Sequence, residues 1–122
     1  MDRELFEVWV VEALDALPDA FRAHLENVEV VVEDWPDRET LRLADQHNPA
    51  GLLGFYHGVP QTQRTHHYGL VLPDKISIYR RPIELHSRTP REIRETIHHV
   101  LRHEIAHHFG ISDERLKDIG AY

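Results

Sequence analysis

Between Thr89 and Gly110 the sequence specifies one long helix, and the place where that helix breaks its own pattern constrains the rest of the chain. Thr89 stands as the N-cap, Pro90 takes the first helical position, and Glu92 three residues after the cap completes a capping box. Gly110 supplies a left-handed stop. About six turns lie between them at roughly 3.6 residues each. On a helical wheel Ile93, Ile97, Val100 and Leu101 form an apolar stripe. Continued, the stripe brings up Glu104 at its centre, with His103 and His107 along one flank. A carboxylate in a buried stripe costs on the order of several kcal/mol unless something compensates for it. A bound cation compensates.

His103-Glu-Ile-Ala-His107 is a His-Glu-x-x-His motif. Histidines at i and i+4 project from one side of a helix a turn apart, so both imidazoles can reach a single ion. Glu104 sits next to the first of them and can hydrogen-bond an attacking water without itself being a ligand. A catalytic zinc needs a third protein ligand and one open position. After His107, Gly110 lets the backbone reverse, and Asp113 returns toward the metal. Ser112-Asp113-Glu114 also reads as the cap and acidic first turn of a final helix, and Glu114 is the rival ligand.

The rest of the chain alternates helices with short strands. Residues 2–17 place Leu5, Phe6, Trp9, Val10, Ala13, Leu14 and Leu17 at helical spacing, ended by Pro18. A short helix is predicted over Asp19 to Leu25, and Val28 to Val32 is β-branched and reads as a strand. Asp37 caps a short helix through Ala44. Leu52 to His57, bracketed by Gly51 and Gly58, is predicted as a strand, residues 59–70 as loop, and Lys75 to Arg80 as a strand of period two. Lys75–Arg80 leads almost directly into the long helix, which suggests an inner position. Leu52–His57 is then expected at the edge, antiparallel to it.

Composition narrows the chemistry. With 122 residues the chain is expected to form one domain, residues 1–122. The absence of cysteine excludes disulfides, thiolate zinc sites and thiol nucleophiles. Five of the 11 histidines, His98, His99, His103, His107 and His108, fall in the long helix. Residues 1–45 carry 13 acidic and 4 basic side chains, whereas residues 46–122 carry 8 and 10. The acidic front argues against a nucleic-acid surface across the whole molecule. The N-terminus has neither the cationic start nor the apolar run of a signal peptide, and no apolar stretch approaches membrane-spanning length. A cytoplasmic location is the expectation.

His-Glu-x-x-His-x-x-Gly-x-x-Asp resembles the extended zinc signature of metzincin-type peptidases, in the variant with Asp as the third ligand. Together with Gly51-Leu-Leu-Gly-Phe-Tyr-His-Gly58 and Pro73-Asp-Lys-Ile-Ser-Ile-Tyr-Arg-Arg-Pro82, it resembles the minimal bacterial zincin-like metallopeptidase family. The resemblance implies an α+β fold in which a small mixed sheet packs against the zinc-binding helix. It also implies a ligand set of His103, His107 and Asp113. It departs from metzincins in one respect: the only methionine is Met1, so no Met-containing turn lies beneath the metal. The chain ends nine residues after Asp113, and no C-terminal lobe is expected.

The reaction expected is hydrolysis of short or unfolded peptides, with Glu104 taking a proton from water and passing it to the leaving amine. Tyr79, Tyr68, His57 and His108 are candidate oxyanion donors. His98 and His99 are expected at the surface or behind the ligands, and His66 and His67 in a loop. A zinc-dependent endoribonuclease of the rRNA-processing type shares the His-x-x-x-His spacing but generally lacks the Glu and needs a basic RNA channel. Arg80, Arg81, Arg88, Arg91, Arg94 and Arg102 are the residues that could supply one. The bland reading of those arginines is a solvated face with ion-pair partners. A third alternative is a non-catalytic, metal-stabilised interaction module, which would have no need of Glu104.

Overall fold

The computed structural model describes residues 1–58, 74–111 and 114. Helix α1 (Arg3–Asp15) starts at Asp2, whose carboxylate accepts from the Glu4 N–H at 3.0 Å. Helix α2 (Asp19–Arg22) tightens into a 3-10 turn over Ala23–Leu25, where one continuous short helix was expected. Strand β1 (Val28–Glu33) follows, then α3 (Arg38–Leu43), capped by Asp37 as its sequence predicts. The Asp37 carboxylate accepts from the Thr40 N–H at 2.7 Å, which holds its carboxyl below the usual range. Strand β2 (Gly54–His57) is shorter than the predicted Leu52–His57 because Leu52 closes the preceding 3-10 turn.

Strand β3 (Asp74–Tyr79) gives its last predicted residue, Arg80, to a helix the sequence reading missed, α4 (Arg80–Leu85). Pro82 hides that helix. In the first turn proline loses no hydrogen bond, and Arg80 and Arg81 both pair with Glu84 one turn on. Helix α5 (Pro90–His108) closes the described elements and runs about five turns rather than six.

The sheet has the order β1-β3-β2, with β1 parallel and β2 antiparallel to β3. It is the small mixed sheet expected, and among the described residues β3 lies inside and β2 at an edge. Register pairs Val30 with Ile76, Ile76 with Tyr56 and Ile78 with Gly54, so these residues share one face. That face packs with Phe6, Val10, Ala13, Leu17 and Phe21 of the N-terminal helices and Ile97, Leu101 and Ile105 of α5 into one core. The stripe predicted for α5 is buried in full, from Ile93 to Leu101. Arg94 ties α1 to α5 by a 2.8 Å bond to Glu12 and by standing 5.3 Å over the Trp9 ring.

Candidate metal centre

Both ends of α5 are built as the sequence dictates. Thr89 Oγ1 accepts from the Glu92 N–H at 3.1 Å. The Glu92 carboxylate reaches back one residue further than a standard capping box, to the Arg88 N–H. At the other end Gly110 adopts φ 69°, the Gly110 N–H reaches His107 O at 3.4 Å, and the Ile111 N–H reaches Ala106 O at 2.8 Å. These paired bonds form a Schellman motif, in which only glycine takes the left-handed position without strain.

Within the last two turns of α5 the side chains divide. Ile105 and Ala106 are buried, His103 and His107 are exposed, and Glu104 is half-buried between them. The two imidazoles therefore face solvent from one side of the helix, and the carboxylate turns in toward the sheet. Burial pushes the Glu104 carboxyl up to about 7, opposed by a hydrogen bond from the Tyr56 N–H. Tyr56 can donate that bond because of its register. The Tyr79 N–H reaches Leu53 O at 3.0 Å, which sets the alternation of the antiparallel ladder and leaves the backbone groups of Gly54 and Tyr56 pointing off the sheet edge.

Close approach of β2 to α5 depends on Gly54. A Cβ there would stand 2.5 Å from Val100 Cγ1, 3.2 Å from Ser77 O and 3.6 Å from Glu104 Cγ. Any side chain would push the strand away from the carboxylate. The signal was present in the sequence as an isolated glycine inside a strand. The Tyr56 N–H was not legible, because no side-chain pattern marks where a backbone donor points.

Three of the expected oxyanion donors, Tyr79, His57 and His108, fall among the described residues, and they take different places around the sheet. Tyr79 is buried on the far face of the sheet, where burial raises its hydroxyl and Ser77 and Thr40 hydrogen-bond it. His57 lies on that face too, 3.3 Å from Ser77 Oγ, with its imidazole held below the ordinary range by burial. His108 follows Glu104 by one turn, and its ring stacks on Tyr56 at 3.6 Å between centroids. Its Nε2 stands 3.7 Å from the buried carboxylate of Asp74, which accepts from the Tyr56 hydroxyl at 2.9 Å. On the helical wheel this places His108 on the opposite side of Glu104 from His103 and His107. The His99 ring lies 4.1 Å from that of His103, beside the first of the two candidate ligands.

Asp113 lies outside the described residues, as do His66, His67 and Tyr68; Glu114 is exposed. Among the described residues no three potential ligands converge. The donors that are described suit zinc. Two imidazoles a turn apart on a solvent-facing flank leave room for further ligands, and a carboxylate beside them is held by one backbone donor.

A family model for zincin-like metallopeptidases matches residues 25–121. The chain belongs to that family. The match takes in the sheet, the long helix and the segment after it, which are the parts that the residue pattern singled out. Family membership supports a zinc-dependent peptidase at the level of reaction class. No curated protein matches the chain. Among the described residues no helix is long and apolar enough to cross a membrane.

Proposed function

We propose that this chain hydrolyses short or unfolded peptides, with His103, His107 and Asp113 holding zinc and Glu104 acting as the general base. The observation that carries the reading is Glu104 itself. It is half-buried beside two exposed histidines of its own helix and bonded to an outward-facing N–H of an edge strand. Zinc, when bound, supplies Lewis acidity that acidifies water and polarises a carbonyl. Glu104 takes the proton from the attacking water at its carboxylate and returns it to the departing amine. Its raised affinity for a proton, near neutrality, suits both halves of that transfer.

The edge of β2 supplies the peptide-binding element. The outward-facing backbone groups of Gly54 can pair with an extended chain laid antiparallel to the strand, beside Glu104, whose carboxylate holds the Tyr56 N–H. Such backbone pairing demands an extended substrate and reads side chains weakly. Folded proteins are then poor substrates.

Two observations favour peptide over RNA. Glu104 adjoins the first ligand position, and four of the six arginines that could line an RNA channel are already paired. Arg80 is bonded to Asp34 and Glu84, Arg81 to Glu84, Arg91 to Glu95 and Arg94 to Glu12. A peptide-library digest by zinc-loaded wild type and by Glu104→Gln tests the proposal. Cleavage by wild type alone supports it; cleavage of single-stranded RNA with no peptide cleaved overturns it.

A further inference from the structure

The two arginines left over from that pairing, Arg88 and Arg102, line one cavity. It has a volume of about 470 Å³ and lies along α5, between the helix and the turn that follows α4. His86 and His99 contribute to its wall, and His99 touches the His103 ring, so the cavity adjoins the proposed metal flank one turn toward the helix N-terminus. Arg102 is partly exposed: its Nε is buried and has no hydrogen-bond partner among the described residues, so the terminal nitrogens of the guanidinium are the part open to the cavity. A guanidinium anchored in this way, with its charge unpaired, presents strong donors to an acceptor that enters the cavity. The two acids in the wall are engaged elsewhere. The Glu92 carboxylate caps the helix at the Arg88 N–H, and Glu95 is bonded to Arg91 at 3.0 Å.

We propose that this cavity is a carboxylate-binding subsite, in which Arg102 and Arg88 receive an acidic side chain or the C-terminal carboxylate of a peptide lying across the metal flank. The planar guanidinium fork matches a carboxylate in two-point geometry, which a lysine could not reproduce. The proposal rests on the peptidase reading for the identity of the ligand, and it sharpens that reading. Backbone pairing along β2 leaves side chains nearly unread, and the cavity adds one position of charge selectivity.

The test measures binding separately from cleavage. Zinc-loaded Glu104→Gln protein is titrated with short peptides that differ only by Glu against Gln, each with a free or an amidated C-terminus. Binding is followed calorimetrically and through the Arg102 Nε–H resonance. The acidic form should bind about tenfold more tightly, as expected for a charge-assisted bond, and should shift that resonance. Adding Arg102→Gln should erase the preference, Arg88→Gln should reduce it, and Arg102→Lys should restore only part. Loss of preference on amidation alone identifies the chain terminus as the ligand, and loss on Glu→Gln alone identifies the side chain. Equal binding of acid and amide peptides, or full preference retained in Arg102→Gln, overturns the proposal. Displacement of the acidic peptide by a single-stranded oligonucleotide that binds far more tightly through the same two arginines also overturns it, in favour of phosphate. Selective binding without cleavage by wild type would remove the peptidase reading and leave the subsite standing.

Discussion

The two faces of the sheet both bury polar side chains, and they satisfy them in different ways. On the face away from α5, Ser77 lies at the centre of a closed set: His57 is 3.3 Å from its hydroxyl, and Tyr79 bonds both Ser77 and Thr40. Each group is neutral and has a neutral partner. On the face toward α5, the carboxylate of Glu104 comes out of the helix to meet, among the described residues, the backbone N–H of Tyr56, and burial pushes its carboxyl up to about 7. A buried network that closes on itself contributes stability and order. A carboxylate drawn largely out of water is costly to the fold, and it is kept where a cation or a reaction needs it.

Glu104→Gln should separate the faces most sharply. The amide cannot take up a proton, so peptide cleavage should fall by about a hundredfold to ten-thousandfold, while zinc content stays at the wild-type level. Steady-state kinetics with parallel metal analysis decide it, and full residual activity would move the base elsewhere.

The same residue makes a second prediction about stability. Its folded pKa of about 7 stands above the ordinary 4.5, so the folded state binds the extra proton between those two values. The contribution of Glu104 to the stability of zinc-free wild type should therefore be greatest below pH 4.5, fall as pH rises to about 7, and stay level above that. A shift from 4.5 to about 7 corresponds to a loss of about 3 kcal/mol. Zinc-free Glu104→Gln lacks this titration. The gap in its favour should open across the same window, as read by denaturant melts at several pH values. A gap that stays constant from pH 4 to pH 8 would show that the carboxylate is solvated.

Gly54→Val tests the spacing between the faces. The new Cβ meets Val100 at 2.5 Å, and the strand must shift at a cost of about 1–3 kcal/mol. Because the shift also carries the Tyr56 N–H off Glu104, kcat should fall with the melting temperature. Loss of stability with unchanged kcat would detach β2 from the reaction. The smallest effect belongs to the far face. Ser77→Ala should cost about 1 kcal/mol and leave peptide cleavage unaltered.

Legibility followed the same division. The cap at Thr89, the stripe from Ile93 to Leu101 and the stop at Gly110 are local rules, and the structure obeys them. The mixed sheet was what the family resemblance implied, and the edge position of β2 was expected from a nearly direct run of β3 into the long helix; that position holds although α4 lies between the two. Helix α4 was hidden by Pro82, whose meaning depends on whether it falls in a first turn. The misfit of Glu104 in the stripe was plain from the helical wheel. Its partner was not, since a backbone N–H takes its direction from ladder register rather than from residue type. The neighbours of His108, the Tyr56 ring and the Asp74 carboxylate among them, were not legible either, because they come from strands distant in sequence.

The central claim is that one flank of α5 holds zinc. The most direct test is the metal content of purified wild type, His103→Ala, His107→Ala and Asp113→Ala by elemental analysis, with Glu114→Ala as the comparison. Wild type should carry about one zinc per chain. Both histidine variants should lose the metal, and Asp113→Ala should weaken affinity far more than Glu114→Ala in chelator competition. Unchanged zinc in both histidine variants would contradict the account.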